Sequence, residues 1–258
     1  MFSMKSIKEI TFFLVLAIGV ASTVGFQKNN NPKEKLQIND HNKGFAVIEL
    51  FTSEGCWSCP PADELIGKLA KENTGKQIYI LAFHVDYWDH QGWKDRFSDP
   101  QYTARQQQYS SWMNLNTIYT PQMVINGQIE LVGSDKPAVV SAINKATMTS
   151  HSYSLVLKTR SSNNRRVEVN YTYKGVDKDS NIVIALVQKT AGSNVKAGEN
   201  KGKILSHAQI VRELQQQPVK TSDKLSFRIP KDMGEGEIIA FVQQQNTGKI
   251  TAATRHSL

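Results

Sequence analysis

Hydrophobic and polar residues follow two rhythms along this chain, and the change between them falls near residue 150. The first part alternates short apolar runs with helical spacings. Phe45 to Phe51 (FAVIELF) is almost continuously apolar, which predicts a strand buried on both faces of a sheet. Ala62, Leu65, Ile66, Leu69 and Ala70 then recur at helical spacing, with Pro60 at the start and Asn73 to Gly75 at the end. Ile78 to Val85 is a second buried strand, so strand, helix and strand imply a parallel pair with a right-handed crossover. Pro100 to Leu115 reads as a helix whose inner face (Tyr102, Arg105, Gln106, Tyr109, Trp112, Met113) is more polar than a core face. Asn126-Gly127, between Met123 to Asn126 and Ile129 to Val132, signals a hairpin. A last helix follows, capped by Ser134 or Asp135, with Ala138, Val139, Ala142, Ile143 and Ala146 inward.

Beyond Ser150 the period is two. Tyr153, Leu155 and Leu157 alternate with polar residues, as do Val167, Val169, Tyr171 and Tyr173, then Leu225, Phe227 and Ile229; Ile182 to Val187 and Ile238 to Val242 are continuous apolar runs. Six or seven short strands in the space of residues 151–258 predict a second, all-β module of sandwich-like character. Gly198 to Gln217 interrupts this rhythm. Glutamine triplets begin at Gln106, Gln215 and Gln243 and are too short to be low-complexity tracts.

The amino terminus sets the compartment. Lys5 and Lys8 precede the apolar run Ile10 to Val20, which is followed by Ala21, Ser22 and Thr23, the pattern of a secretory signal or an uncleaved anchor over residues 1–26. Residues 27–43 are polar, rich in Asn and Lys, and read as a flexible leader. The formal net charge of +8 is lopsided: residues 1–150 carry 14 basic and 14 acidic groups, residues 151–258 carry 17 and 9. In an exported protein such a basic half meets anionic envelope lipids or acidic proteins rather than nucleic acid, or is simply a solvated surface. No nucleic-acid motif, phosphate-cradling glycine loop or nucleophile-elbow serine is present.

Candidate chemistry concentrates in Glu49 to Pro61 (ELFTSEGCWSCPP), which holds the chain's two cysteines, Cys56 and Cys59. A Cys-x-x-Cys at a helix start has a reason to be reactive, because the positive helix end and its unpaired N–H groups favour thiolate over thiol. Cys56, nearer the surface, is then the nucleophile and Cys59 the resolving thiol. A structural disulfide, a metal site and two unrelated buried thiols are the competing readings; the metal reading would recruit His84 and His90 to Cys56 and Cys59. Glu49, a carboxylate in an apolar strand, is a candidate proton carrier or else a salt-bridged or edge-exposed side chain. In Asp86 to Trp93 (DYWDHQGW), Tyr87, Trp88 and Trp93 are candidates for an apolar wall that receives an extended polypeptide, alongside Trp57, or for a cap on the sheet.

The order of elements, with Thr120-Pro121 before a hairpin, resembles the thioredoxin superfamily. That resemblance implies that Pro121 is a cis proline packed against the dithiol and that Thr120 helps to hold substrate. Three blocks, EGCWSCPPAD at Glu54 to Asp63, DYWDHQGWKD at Asp86 to Asp95 and YTPQMVINGQ at Tyr119 to Gln128, are similar to the bacterial secreted thioredoxin-like family named domain of unknown function 1223. The resemblance spans roughly residues 45–255, and His207 and Arg212 resemble a motif position of the same family. Thioredoxins proper carry Trp before the first cysteine and Gly-Pro between the two; here Gly55 precedes and Trp57-Ser58 intervenes, which leaves the direction of electron flow open.

The sequence therefore predicts an α/β thioredoxin-like domain (residues 44–150) followed by an all-β sandwich-like domain (residues 151–258). The expected activity is that of an exported thiol-disulfide oxidoreductase of the bacterial periplasm or cell envelope, with protein or peptide thiols and disulfides and an envelope redox protein as partners and no cofactor. A metallochaperone or metal sensor, and a binding module with a vestigial dithiol, are the alternatives.

Overall fold

The computed structural model describes residues 44–150, 152–162, 165–175 and 179–258. The expected signal or anchor and the leader lie outside the described residues. Strand β1 (Ala46–Thr52) is buried along its whole length, as its composition requires, and pairs in parallel with β2 (Ile78–His84). The crossover between them is α1 (Pro60–Glu72), which turns Ala62, Leu65, Ile66 and Leu69 inward. Helix α2 (Pro100–Met113) begins at Asp99, whose side chain accepts from Gln101 N, and ends at Asn114 in the left-handed conformation. Strands β3 (Gln122–Ile125) and β4 (Ile129–Val132) form the hairpin, and β3 pairs antiparallel with β1. Asn126 and Gly127 both have positive φ in its three-residue turn, and Asn126 also ties the turn to β1 through Val47 N and Phe45 O. Helix α3 (Lys136–Met148) starts at Asp135, whose side chain accepts from Ala138 N.

The second half supplies β5 (Ser154–Ser162), β6 (Arg166–Lys174), β7 (Ser180–Asn194), β8 (Ile204–Pro218), β9 (Ser222–Arg228), β10 (Gly236–Gln244) and β11 (Ile250–Ser257). These do not form a module of their own. Strands β11, β10, β7 and β8 join β2, β1, β3 and β4 in one mixed eight-stranded sheet, with β8 parallel to β2 and Ala82 opposite Ile210. Strands β5, β6 and β9 make a separate three-stranded antiparallel sheet.

The packing is continuous across the two halves. Helices α1 and α3 cover one face of the first strands through Ile48, Leu50, Leu65, Ile66 and Ile143. On the other face, Tyr102 and Tyr109 of α2 share a core with Val47, Phe51 and Phe83 and equally with Val183, Ala185, Val211 and Phe241 from the second half. The small sheet buries Leu155, Leu157, Val167, Val169, Tyr171 and Phe227 against Ile182, Ile184, Ile238 and Ala240.

This overturns the expected architecture of an α/β thioredoxin-like domain followed by an all-β sandwich-like domain. A β2 buried on both faces would stand as an open edge with unpaired backbone groups if the first half ended on itself, and β8 lies beside it instead. The segment Gly198 to Gln217, expected to break the strand rhythm, contains most of β8. That strand pairs with β7 from Asn194↔Ile204 to Asn181↔Pro218, with a register shift between Leu186 and Val187.

Candidate functional site

The site is built where the chain leaves β1. Ser53 Oγ accepts from Gly55 N, Cys56 N donates to Ser53 O at 3.2 Å and Cys59 N to Cys56 O at 3.3 Å, so two successive turns lead into α1. Cys56 and Cys59 are joined in a disulfide, and both are fully buried. Cys56 is thus no nearer the surface than Cys59, contrary to expectation. The exposed member of the loop is Trp57, at 67%.

Helix α1 offers the sulfurs less than its position suggests. Pro60 and Pro61 occupy its first turn and have no N–H, and the next two amides, Ala62 N and Asp63 N, both donate to Cys59 O at 2.9 and 3.2 Å. The helix dipole remains, but the expected free N–H groups are spent or missing. The side chain that does approach is Ser58, whose hydroxyl lies 3.4 Å from Cys56 Sγ and 3.5 Å from the carbonyl oxygen of Thr120.

Thr120 and Pro121 face the loop, and the bond between them is cis. Pro121 is buried, and its carbonyl accepts from Gly133 N at 2.9 Å. Trp88 Nε1 donates to Thr120 Oγ1 at 2.8 Å, and Tyr87 packs beside Trp88 with ring centroids 6.5 Å apart. Burial raises the Tyr87 phenol pKa. Trp93 Nε1 donates to Glu54 Oε2 at 2.6 Å. Trp88, Thr120, Ser58 and Cys56 are thus brought together. Trp93 is placed on the charged side of the loop rather than beside Trp88 in one wall.

A third wall comes from the turn between β7 and β8. Asn200, fully buried, donates through Nδ2 to both Glu54 O and Cys56 O at 2.9 Å, and Lys203 Nζ donates to Asn200 Oδ1 at 2.8 Å. Glu199 Oε2 accepts from Trp57 N at 3.1 Å. Beyond this turn, on β8, His207 sits between Glu54 Oε1 at 3.4 Å and Asp63 Oδ2 at 3.7 Å, with all three side chains buried. The His84 ring lies 4.9 Å from that of His207, and its Nδ1 is 2.6 Å from Asp95 Oδ2. Asp95 also accepts from Glu54 N at 2.8 Å.

These groups perturb one another. Burial works against a charged His207, but the carboxylates of Asp63 and Glu54 outweigh it and raise its pKa to about 9. Burial likewise opposes ionisation of Glu54, yet His207 and Trp93 hold its carboxyl below the ordinary range. Burial also opposes ionisation of Asp95, which His84 and the amides of Glu54 and Phe97 keep low. A charged imidazolium flanked by carboxylates is therefore the electrostatic setting of the disulfide loop.

Glu49 is elsewhere. It projects to the α2 face of β1, where Arg105 grips it with Nε at 2.5 Å and Nη2 at 2.9 Å and Tyr109 donates to its Oε1. The proton-carrier role expected for it is corrected by this placement: the carboxylate lies on the opposite face of the sheet from α1 and is committed to a buried ion pair, with Gln243 also bonded to Arg105. The metal reading is not assembled either. Among the described residues no group of three or more His, Cys, Asp or Glu is arranged to hold a metal ion; His84 is bound to Asp95, and His90 is exposed on a short 3₁₀ turn.

Glu54, Asp63, Asp95 and Asn200 were not singled out by sequence reasoning. The acids lie inside the recognised blocks with no role marked by their spacing, and Asn200 lies in the segment that interrupts the strand rhythm. His207, noticed through family resemblance, brings a charge of the second half between two carboxylates of the first.

A buried Cys-x-x-Cys disulfide at a strand-to-helix turn, faced by a cis proline and held by a distant hairpin, marks this as a mostly β protein built on a mixed eight-stranded sheet with a disulfide at its strand ends. The chain belongs to the protein family of unknown function DUF1223, whose family profile matches residues 47–243. Among solved structures it is similar to a protein from Agrobacterium tumefaciens, with 24% identity, 83% of this chain and 93% of that one covered and a TM-score of 0.60. A domain of the outer membrane lipoprotein Omp28 from Porphyromonas gingivalis overlaps 41% of the chain and 86% of its own length, with 10% identity and a TM-score of 0.24. No curated protein matches the sequence.

Proposed function

We propose that this protein is an exported thiol-disulfide oxidoreductase that exchanges the Cys56–Cys59 disulfide with protein, peptide or small-molecule thiols and disulfides. The observation that carries the reading is the position of the bond. It closes a ring of only four residues, for which chain-entropy stabilisation is about 2 kcal/mol against nearly 5 for a long loop, so it is a poor staple.

With the pair reduced, the Cys56 thiolate attacks a substrate disulfide, forms a mixed disulfide and expels one substrate thiolate, which takes a proton from solvent. Cys59, deprotonated, then attacks Cys56 Sγ, releases the second substrate thiolate and restores the internal bond; two electrons pass to the substrate. The reverse sequence oxidises a substrate dithiol, and the potential of the partner sets the direction. Ser58 supports the Cys56 thiolate: a negatively charged sulfur is a better acceptor for its hydroxyl than the Thr120 carbonyl at the same reach. Because both cysteines are buried, exchange requires the Gly55–Ser58 loop to open. The compartment follows from the signal-like segment at residues 1–26, and an envelope redox protein is the expected electron partner.

The test is equilibration of the purified full chain with glutathione buffers, followed by alkylation and mass spectrometry. Cys56→Ser should abolish exchange, and Cys59→Ser should trap a glutathione adduct on Cys56. Equal exchange by both variants and the wild type would overturn the assignment.

A further inference from the structure

The three glutamine triplets, unexplained by the disulfide site, converge. They come from α2 (Gln106–Gln108), β8 (Gln215–Gln217) and the end of β10 (Gln243–Gln245). In each, one member serves the fold. Gln106 donates to Tyr119 O and Gln122 Oε1, Gln215 to Ser226 O, and Gln243 to Tyr109 Oη and Gly248 O. A second member of each triplet, Gln108, Gln216 and Gln245, lines one cleft of about 390 Å³ on the α2 side of the large sheet.

The chemistry of that cleft is unusual. Gln101 and Asn181 join the three glutamines, giving five carboxamides, each both donor and acceptor. Arg105 is the charged lining residue, and its charge is already committed to Glu49. The carboxamides are lightly held: Gln101 reaches Leu214 O at 3.4 Å, Gln245 Nε2 donates to Asn181 Oδ1 at 2.9 Å, and Gln108 and Gln216 have no side-chain hydrogen-bond partner among the described residues. Trp112 completes the lining. Its indole is fixed by Nε1 donating to Gln245 O at 2.8 Å, by an edge contact with Tyr109 and by Gly248, where an added Cβ would come within 2.5 Å of the ring.

We infer that this cleft binds a neutral saccharide of one or two rings. Paired donor and acceptor amides match hydroxyl groups, a fixed indole gives a flat apolar platform for the C–H face of a sugar ring, and the lack of free charge selects against ionic ligands. The volume is at the small end of ligand sites. A peptide taken up by strand addition needs free backbone groups along an edge; β10 lies between β7 and β11, and where β8 runs on past its one pairing with β2 its Val211 and Leu214 carbonyls already accept from Tyr102 Oη and Gln101 Nε2. The cleft lies on the opposite face of the sheet from α1, so the proposal is independent of thiol exchange.

The experiment is isothermal titration and saturation-transfer NMR of the full chain with glucose, maltose and N,N′-diacetylchitobiose, and with trialanine as the peptide control. Binding of at least one sugar is expected, weakened about tenfold or more in Gln108→Ala/Gln216→Ala. Those two side chains have no hydrogen-bond partner among the described residues, so the double variant should keep the wild-type unfolding midpoint. Cys56→Ser should bind sugar as the wild type does. Failure of all three sugars to bind in the millimolar range, binding unaltered in the double variant, or binding of trialanine in their place would each overturn the inference.

Discussion

Glu49 shows both the reach and the limit of reading single residues. A carboxylate in FAVIELF is visibly anomalous, and the ion-pair alternative is visible too. Its partner, Arg105, lies 56 positions away on a helix whose rotation the sequence does not disclose. The reverse holds for His207, which looks ordinary in sequence and carries the largest electrostatic consequence at the site. Its pKa rises from an ordinary 6.5 to about 9, so its contribution to stability is fully present below pH 6.5 and is lost as pH climbs through 9. The loss amounts to about 3 kcal/mol at most, at 1.36 kcal/mol per pKa unit. Glu54 and Asp95, with depressed pKa values, act oppositely, stabilising above the ordinary carboxylate range and failing as pH falls through their lowered values. Urea denaturation across pH should therefore show a plateau with a falling alkaline limb, and His207→Gln should flatten that limb and shrink the share of the acid limb that Glu54 contributes, while the share from Asp95 stays in place.

At the scale of elements, the strands and helices of the first half were readable because apolar runs, Pro60, Asn126-Gly127 and Asp135 each mark a local boundary. Strand β8 was not, because its polar residues have partners far away. Arg212 reaches Gln188 and Asp232 and stacks on Phe97, and Gln209 has φ of 56° where an alternating strand is expected to be extended. The β7–β8 turn was equally hidden, though Gly198 and Gly202, with φ of 72° and 82°, fix its shape. Its Asn200 satisfies two carbonyls of the disulfide loop with one amide group. Asn200→Ala should leave both without that partner, cost about 1–3 kcal/mol in chemical denaturation and speed reduction of the disulfide by dithiothreitol. Asn200→Asp, which keeps the shape but lacks the donor, should behave alike.

On the scale of the whole molecule, the change of rhythm at residue 150 is real, but the boundary inferred from it is not. Alternation tells which face of a strand is apolar and nothing about which strand lies beside it; the pairing of β2 with β8 joins residues more than a hundred positions apart. The continuous runs at Ile182 to Val187 and Ile238 to Val242 did hold a clue, since strands apolar on both faces need a layer on each side. With Tyr109 packed among residues of both halves, heat or urea should unfold the described region in one transition, coincident by far-ultraviolet and near-ultraviolet circular dichroism. Separate transitions for the two halves would contradict a common core.

The turn at Asn126-Gly127 has a mechanical consequence. A Cβ at Gly127 would meet Gly248 O at 1.8 Å, Gln128 Nε2 donates to Thr247 O at 2.9 Å, and Ile250 N donates to Asn126 O at 3.1 Å. The β3–β4 hairpin is thereby bolted to the β10–β11 turn, while β2 is seamed to β8 elsewhere in the sheet. With Tyr102 and Tyr109 wedged among residues of both halves as well, neither half is free to swing on the other. Unlatching the Cys56–Cys59 loop must then be a small local movement, carried by Trp57 and the Asn200 clasp, against a frame that stays rigid.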